Sequence, residues 1–276
     1  MTPGAATPVV SVVVPTRDCV EWLPACAASV KMQTYSAVEL IVVDNGSTDG
    51  SAQVAQSEAD VFAVFGPERS AQRNCGAELA SGEYLFFVDC DMELAPTLVA
   101  ECVEAIRGDG GPAVIVPEVS TGEGFWAHCR TLERACYSGD DAVEAARFFP
   151  RGTFLAAGGY DTSLTGPEDW DLSIRVARGQ TLPRTTATLL HHEGRVTLRG
   201  LFSKRRYYAP GYWRFFRKHG FAALKQANPA RAAYLRNWRL LAMHPLLTLG
   251  IATMKAAEVV SVTTRWRSPA DRQAAQ

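Results

Sequence analysis

The sequence predicts an α/β fold: a mixed, mainly parallel sheet flanked by helices, followed by a helical C-terminal extension that is both basic and apolar. Over the first 118 residues, short β-branched runs alternate with stretches of helical apolar spacing. Polar residues follow three of these runs directly. Beyond residue 200 the chain becomes basic, aromatic and helical in pattern. Alternation of strand and helix implies parallel pairing with helices on both faces of the sheet.

Each element of the first half has its own signal. The first strand, "VVSVVVP", is a β-branched run, and the helix after it has apolar residues at positions 23, 26, 27 and 30. Proline 24 is tolerated in its first turn. The predicted strands are 9–15, 38–44, 61–65, 83–89 and 112–118. The predicted helices are 21–33, 47–59, 68–80 and 95–108.

The second half is less regular. The stretch 148–161 contains a strand signal and a Gly-Gly turn, and 167–179 is typical of a helix with an acidic first turn. The run 186–194 is predicted to be a strand that ends in two histidines. We find no internal repeat and no low-complexity linker, which favours one catalytic domain with an extension.

Composition is that of a soluble globular enzyme, with 47% hydrophobic and 21% charged residues. The seven cysteines form no C-x-x-C pair, so neither a zinc site nor a disulfide framework is indicated. A reducing, cytoplasmic location therefore fits best. The first eight residues lack a basic segment and an apolar stretch, so we expect no secretion signal.

Charge is distributed very unevenly along the chain. Residues 1–194 carry 12 basic and 27 acidic side chains, whereas residues 195–240 carry 12 basic and no acidic side chains. The basic segment favours an anionic partner such as phosphate, nucleic acid or a membrane surface, or else a solvated helical face. Residues 204–220 interleave basic and aromatic side chains, a mixture that suits nucleic acid, lipid headgroups or sugars and also a packed amphipathic helix.

The most apolar tract, residues 239–262, is interrupted by His244, Pro245, Lys255 and Glu258. It is therefore not a clean membrane span. A helix in the membrane interface fits, as does a helix packed on the domain or in a dimer.

Three predicted strands end in polar residues, at 15–18, 44–50 and 89–91. In parallel α/β sheets, ligands bind at the carboxyl ends of the strands. The last of these stretches contains two aspartates, Asp89 and Asp91, separated by one residue. Paired carboxylates are the oxygen ligands that Mg²⁺ or Mn²⁺ prefer, although a D-x-D alone is weak evidence.

Five motifs, in this order and spacing, resemble family 2 glycosyltransferases of the GT-A fold. They are "VSVVVPTRD", "ELIVVDNGSTDGS", "RNCGAELASGEYLFFVDCDMEL", "GGYDTSL" and "GPEDWDLSIRVARGQ". The resemblance covers about residues 8–195. It implies a catalytic domain at 1–199, with a nucleotide-sugar half at about 8–118 and an acceptor half at about 119–199. Residues 200–276 would be a helical extension for acceptor, membrane or oligomer contact.

The resemblance also implies an inverting transfer from a nucleotide-sugar donor by single displacement. Matched position by position, the donor nucleotide would be bound by Pro15, Thr16, Asp44, Arg73 and Asp89. Asp44 would bind the base, for which uracil or thymine is favoured over guanine, so that the donor is a UDP- or dTDP-sugar rather than a GDP-sugar.

A divalent ion, Mn²⁺ or Mg²⁺, would be held by Asp91 and Asp89, with His191 as the third ligand. The adjacent His192 is the alternative, and a histidine pair satisfied by backbone groups is the simpler structural explanation. Asp91 is the more direct ligand of the two aspartates.

Asp169 matches the catalytic base, and Glu168 and Trp170 would contact the acceptor. Acidic residues at a helix N-terminus are also common without any catalytic role.

The acceptor is expected to be a glycan or a lipid-linked molecule, with peripheral membrane contact through 200–262 at the inner face of the membrane. An oligomer is possible within this prediction, and no nucleic acid partner is expected. Two other classes remain: a nucleotidyltransferase, for which "PTRDCVEW" lacks the basic glycine-rich loop, and a non-catalytic sugar-nucleotide-binding module.

Overall fold

A computed structural model describes residues 7–141, 143–220, 223 and 232–265. Within these ranges the chain forms two compact units. The first comprises the described parts of Met1–Glu118, Glu144–Thr162 and Glu168–His191, and the second those of Val119–Val143, Ser163–Pro167 and His192–Gln276. The predicted boundary between a catalytic domain and an extension at 199/200 is a functional assignment, and it stays a prediction.

The strands and helices predicted for the first 118 residues are found in the predicted order, with β5 as an additional strand, whereas β7, α5 and α6 were not predicted. The strands are β1 Val10–Thr16, β2 Val38–Asp44, β3 Val61–Val64, β4 Tyr84–Phe87, β5 Met92–Leu94, β6 Val114–Ile115, β7 Glu118–Glu123, β8 Ala146–Pro150 and β9 Leu189–Arg195. The helices are α1 Leu23–Lys31, α2 Ser51–Glu58, α3 Arg69–Leu79, α4 Leu98–Asp109, α5 Phe125–Tyr137, α6 Arg151–Ala156, α7 Glu168–Ala177, α8 Leu198–His219, α9 Ala232–Arg236, α10 Trp238–Met243 and α11 Pro245–Arg265.

The first unit is built on a six-stranded sheet of order β3-β2-β1-β4-β8-β6. Its β1 strand pairs in parallel with β2 and β4, and β2 pairs in parallel with β3. Side chains of β1 alternate between two cores: Val12 and Val14 pack with α1 and α4, whereas Val13 packs on the other side with α3 and α7. Burial on both faces explains why these strands are continuous β-branched runs. The predicted α/β fold is confirmed.

Close packing of α3 on the sheet depends on Gly76. A Cβ atom at this position would lie 2.3 Å from Cγ1 of Val13 in β1. The glycine therefore lets the helix approach the strand, and the same helix carries Arg73 one turn earlier.

One strand breaks the regular alternation that the first 118 residues suggest. The β8 strand inserts between β4 and β6 and runs antiparallel to both. The predicted fifth strand, 112–118, accordingly shortens to the two residues of β6, and its last residue begins β7. Phe148 and Phe149 of β8 are fully buried on opposite faces, which fixes the register of the insertion.

The second unit is mainly helical, with β7 bordering the second half of β9. Its α5 helix packs against α11, and the buried residues Cys129, Leu132, Ile251 and Met254 form their common core. The apolar tract at 239–262 is two helices rather than one, because Pro245 begins α11 and restricts His244 to a non-helical conformation. Within the described ranges, none of the helices has the length and apolarity needed to cross a bilayer.

A buried carboxylate lies among the helices of this second unit. Glu133 of α5 is fully buried and is bound by Lys255 of α11, by Arg130 at 3.3 Å and by the hydroxyl of Tyr137 at 2.6 Å. Burial raises the pKa of Glu133, but the two cations outweigh it and lower that pKa to about 2.

Candidate functional site

The three polar strand ends lie side by side in the first unit. Thr16 at the end of β1 pairs with Asp44 at the end of β2, and Val13 of β1 pairs with Phe87 at the end of β4. The D-x-D pair then follows, with Asp89 just after β4 and Asp91 just before β5. Adjacent parallel strands therefore bring these ends to one edge of the sheet.

Arg73 is the centre of an ion-pair network at this edge. Its side chain projects from α3 and is completely buried. Nη2 lies 2.6 Å from Oδ1 of Asp89, and Nη1 lies 3.1 Å from Oδ1 of Asp169. One guanidinium group therefore joins the D-x-D to the acidic pair that begins α7. The planar fork of arginine suits this bridging role better than the single ammonium of lysine.

The "GGYD" motif holds the other side of Arg73. The ring of Tyr160 lies 5.1 Å from the guanidinium carbon of Arg73 and meets Phe87 edge-on at 5.1 Å. Asn74 fixes Tyr160 by two hydrogen bonds with its backbone, each 2.9 Å long. A Cβ atom at Gly159, which has a φ of +66°, would lie 2.7 Å from the Asn74 amide oxygen, so this position requires glycine.

Glu168 and Asp169 occupy different environments although they are adjacent. Glu168 is 1% exposed and pairs with Arg69 at 2.9 Å, whereas the Asp169 side chain is 23% exposed. Burial and the neighbouring Asp169 raise the pKa of Glu168 against the opposing effect of Arg69 and Arg73. Asp169 is thus the more accessible carboxylate of the pair. Trp170 follows on the first turn of α7 and is partly exposed.

A second arginine reaches the D-x-D from β8. Arg147 Nη2 lies 3.6 Å from Oδ2 of Asp89 and 2.5 Å from Oε1 of Glu118. Burial alone would raise the pKa of Asp89, but Arg73 and Arg147 hold it well below its ordinary value. The repulsion expected between the two aspartates of the D-x-D is therefore relieved on the Asp89 side by arginine.

Asp91 faces a different partner. Antiparallel pairing of β5 with β9 sets Met92 opposite His191, which brings Nε2 of His191 to 3.4 Å from Oδ2 of Asp91. Nδ1 of His191 lies 3.5 Å from Oε2 of Glu118. Because side chains alternate along a strand, His192 points to the opposite face. Of the two predicted histidines, the structure brings His191 to the D-x-D.

These contacts form one continuous network from Arg69 to Asp91. It contains five carboxylates and three arginines, a formal charge of −2 when all are ionised. Oδ1 of Asp91 is buried and accepts no hydrogen bond from any residue that the structure describes. An orphaned carboxylate oxygen beside an imidazole fits a divalent cation.

Protein ligands alone do not complete a metal site here. Among the described residues, no group of three or more His, Cys, Asp or Glu side chains is arranged to hold a metal ion. Asp89, predicted to hold the metal together with Asp91 and His191, is engaged by Arg73 and Arg147, and its part in metal binding stays a prediction. Mg²⁺ and Mn²⁺ sites are commonly completed by phosphate oxygens and water.

The predicted nucleoside side of the site is organised by hydrogen bonds. Asp44 is buried and accepts hydrogen bonds from the backbone N–H of Ser47, at 2.9 Å, and from its hydroxyl. Gln72 of α3 donates to the carbonyls that end β1 and β2, those of Thr16 at 2.9 Å and Val43 at 2.6 Å. Pro15 and Thr16 are buried beside them. The "GSTDG" loop is therefore fixed against two strand ends.

Sequence reasoning missed Glu118, Arg147 and Arg69. Arg147 stands alone in the apolar strand "ARFFP", and a charged residue in a buried strand needs a partner, which was an available signal. Glu118 gives no such signal, because only the pairing of distant segments brings it to His191. Arg69 lies one helical turn before Arg73, a spacing that puts both on the same face of α3.

The network lies at the strand ends of a doubly covered α/β sheet, where ligands bind in folds of this type. The sequence profile described as "Glycosyl transferase family 2" matches residues 11–159. A "PGL/p-HBAD biosynthesis glycosyltransferase" of Mycobacterium tuberculosis is 30% identical over 184 residues, covering 62% of this chain and 70% of that protein. An uncharacterized glycosyltransferase, YibD of Escherichia coli, is 34% identical over 94 residues, 32% of this chain and 27% of that one. The chain belongs to glycosyl transferase family 2 and is a glycosyltransferase.

Solved structures share the fold. The mannosyltransferase PcManGT from Pyrobaculum calidifontis, solved with GDP-Man and Mn²⁺, has a TM-score of 0.64 at 19% identity, covering 94% of this chain and 87% of that one. Residues 1–349 of TarS from S. aureus, solved with UDP-GlcNAc, have a TM-score of 0.52 at 14% identity, covering 94% and 92%. The predicted GT-A fold is confirmed. Family membership favours glycosyl transfer over the nucleotidyltransferase and non-catalytic alternatives.

Proposed function

We propose that this glycosyltransferase moves a sugar from a nucleotide-diphosphate donor to an acceptor hydroxyl by a single displacement that inverts the anomeric centre. One observation carries the proposal: Arg73 bridges Asp89 of the D-x-D and Asp169 of α7. Asp89, proposed to lie near the leaving diphosphate, and Asp169, proposed to meet the acceptor hydroxyl, are thereby held by one buried side chain. No protein nucleophile is required, because the acceptor oxygen attacks the sugar directly.

Asp169 is the base in this proposal. The acceptor oxygen forms a bond to the anomeric carbon as the bond from that carbon to the diphosphate oxygen breaks, and the proton of the hydroxyl passes to the Asp169 carboxylate. Its partial exposure supports the role, since an acceptor must reach it. Arg73 and the helix N-terminus orient the carboxylate. Glu168, held by Arg69, and Trp170 would border the acceptor.

Asp91 and His191 would hold Mn²⁺ or Mg²⁺, with Asp89 beside them. When bound, the ion neutralises the charge that develops on the leaving diphosphate. Support comes from the orphaned Oδ1 of Asp91 and from the net negative charge of the network. Glu118 would fix the orientation of His191 through Nδ1, as carboxylates do for metal-bound histidines elsewhere.

Pro15, Thr16 and Asp44 would bind the nucleoside, and Arg73 and Asp89 would lie toward the ribose and diphosphate. The solved neighbours were obtained with GDP-Man and Mn²⁺ and with UDP-GlcNAc, which supports a nucleotide-sugar donor without fixing the base. We propose a UDP- or dTDP-sugar, because the Asp44 carboxylate can accept the N3–H of uracil or thymine. While it binds the base, Asp44 would stay buried and keep the hydrogen bond that the backbone N–H of Ser47 donates to it.

The acceptor in this proposal is a glycan or a lipid-linked molecule. Residues 1–199 would carry the chemistry, and residues 200–276 would contact the acceptor, the membrane or a second copy.

Two measurements test the proposal. A thermal-shift screen of nucleoside diphosphates with Mn²⁺ should identify one base that raises the melting temperature above the others. With the corresponding nucleotide sugar, Asp169→Asn should lower the release of nucleoside diphosphate by about 10²- to 10⁴-fold, the usual contribution of a general base. Nucleotide binding in the thermal-shift assay should remain.

Glu104→Gln is the matched control, because Glu104 is an exposed carboxylate of α4 in the same unit. It should turn over the donor at the wild-type rate. Near-normal turnover by Asp169→Asn would remove Asp169 as the base. Incorporation of a nucleotidyl group instead of a sugar, or nucleotide-sugar binding with no turnover under any condition, would favour the two alternative classes.

A further inference from the structure

The outward side of α11 is apolar, which is unusual for a solvated helix. Leu246 is 74% exposed and Leu249 67%, and Val259 and Val260 are about half exposed. These positions follow helical spacing along one side, whereas Leu247, Ile251 and Met254 face the core of the second unit on the other. Among the described residues, those of its own unit cover one apolar side of the helix and leave the other exposed.

Two charged residues of α11, Lys255 and Glu258, are turned toward their own unit. Lys255 and Glu258 are the only charged residues between Pro245 and Thr264. Lys255 binds the buried Glu133 and lies 3.2 Å from Glu258, which in turn lies 3.8 Å from Arg205 of α8. Both side chains thus pair within the second unit. A surface helix of a soluble domain has the opposite arrangement, with charges outward.

The short helices before α11 also expose large apolar side chains. Leu235 is 79% exposed, Trp238 60% and Met243 69%. The guanidinium carbon of Arg239 lies 5.6 Å from the ring centre of Trp238. Tryptophan stacked with arginine is characteristic of the boundary between the acyl chains and the charged headgroups of a bilayer. The ring lies among the apolar chains there, and the cation lies among the headgroups. We define the docking face as Leu235, Trp238, Met243, Leu246 and Leu249, with Val259 and Val260 at its far end.

We infer that the docking face inserts into the headgroup region of an anionic lipid bilayer. Charge selects this partner: residues 195–240, which lead into the face, contain 12 basic and no acidic side chains. An apolar surface that follows such a segment in the chain and has Arg239 against its Trp238 matches the interfacial mode of binding, in which apolar side chains enter the bilayer and basic ones remain at anionic headgroups. The helix lies in the interface, consistent with the finding that no described helix can span a bilayer.

A second copy of the chain is a poorer occupant. Two-fold pairing through this face would bring Arg239, which lies against Trp238 of the face, toward the same residue of the other copy. Residues 195–240 contain no acidic side chain, so the segment itself supplies no opposite charge to Arg239 of the other copy. A lipid surface with anionic headgroups reverses the sign of that interaction.

Vesicle co-sedimentation of the full chain tests the inference. Wild-type protein should bind vesicles of phosphatidylcholine and phosphatidylglycerol in equal parts, and bind pure phosphatidylcholine weakly. The double variant Leu246→Glu with Leu249→Glu should bind the anionic vesicles at least about tenfold more weakly, because two exposed leucines lose their burial in lipid. Both residues are exposed, so the melting temperature should not change, and Leu246→Ser with Leu249→Ser provides the same comparison without added charge.

Met32→Glu is the matched control, since Met32 is 67% exposed in the first unit, just after α1. It should bind as the wild type does. Absence of wild-type binding to anionic vesicles would overturn the inference, and so would equal weakening by Met32→Glu. A dimer in sedimentation velocity that the double variant dissociates, without vesicle binding, would replace the bilayer by a second copy. None of these results depends on the nucleotide-sugar donor or on Asp169, so failure of this inference is distinguishable from failure of the proposed chemistry.

Discussion

Each of the two units contains a buried ion-pair network, and the two differ in how completely they are closed. In the first unit, Arg73 is fully buried, but its partners Asp89 and Asp169 keep 16% and 23% of their side-chain surface exposed. In the second unit, Glu133 is itself fully buried and its oxygens are taken up by Lys255, Arg130 and two tyrosine hydroxyls.

This difference separates a network that can bind something from one that holds helices together. Around Glu133 the acceptor capacity of the carboxylate is used, so the group contributes to stability and has no capacity for a ligand. The network around Arg73 ends at Asp91, which is 35% exposed and has one buried oxygen without a hydrogen bond from the described residues. Similar residue types therefore leave capacity for a ligand in the first unit and are fully paired in the second.

We call the network around Arg73 the open network and that around Glu133 the closed network. Removing Arg73, the central cation of the open network, should have the largest effect. Arg73→Met leaves Asp89 and Asp169 without their shared partner while keeping most of the buried volume. Uncompensated buried charge typically costs about 3–5 kcal/mol, so we expect a loss of that size in the free energy of unfolding, measured by urea denaturation. Release of nucleoside diphosphate should fall to background at temperatures where the variant is still folded.

Arg73→Lys sharpens this prediction, because it keeps the charge but not the two-branched geometry. It should recover part of the stability and little of the turnover. Equal stability of the wild type and Arg73→Met would contradict the assignment of Arg73 as the central cation of the site.

The sequence predicted the parts of the open network that lie at strand and helix ends. Asp89, Asp91 and Asp169 are found in short motifs whose spacing within the chain is characteristic, and the sheet then aligns them. Arg73 was assigned from resemblance alone, and its bridging of both acidic motifs required the packing of α3 on β1.

The rest depends on long-range pairing that no local pattern encodes. Glu118 meets Arg147 because β8 inserts antiparallel beside β4, and it meets His191 because β9 pairs with β5. The closed network of Glu133 was also unpredicted, since Lys255 lies 122 positions away in the chain. Helix and strand signals in a sequence report only local periodicity. Which residues far apart in the chain come into contact depends on how all the elements pack together.

The closed network should give the next largest effect, and it should depend on pH. The pKa of Glu133 is lowered from its ordinary value near 4.5 to about 2. Its contribution to stability is therefore complete above pH 4.5 and is lost as the pH falls through 2. It amounts to about 3 kcal/mol at neutral pH, given 1.36 kcal/mol per pKa unit.

Glu133→Gln tests this contribution because it removes the titration and keeps the shape of the side chain. The difference in unfolding free energy between wild type and variant should shrink from pH 5 to pH 2, measured by urea denaturation across that range. Nucleotide-dependent thermal shifts at neutral pH should be the same in both proteins. A difference that stays constant with pH would show that Glu133 is not the titrating group.

The smallest predicted effect concerns Glu118, which links both ends of the D-x-D without touching the donor in the proposed mechanism. Glu118→Gln can still accept a hydrogen bond from Arg147, but it loses the charge that orients His191. Substitution of such outer partners usually weakens metal binding by about 10- to 100-fold. We expect a rise of that size in the Mn²⁺ concentration needed for half-maximal response, both in nucleotide-dependent thermal shift and in electron paramagnetic resonance of bound Mn²⁺.

At saturating Mn²⁺ the turnover of Glu118→Gln should approach that of the wild type, because a positioning residue acts through the ligand that it orients. Glu104→Gln again provides the matched carboxylate control and should leave Mn²⁺ binding unchanged. His191→Gln should weaken Mn²⁺ binding at least as much as Glu118→Gln, and combining the two should add little, since Glu118 acts through His191. Additive effects of the two substitutions would mean that Glu118 influences the metal through Arg147 and Asp89 instead.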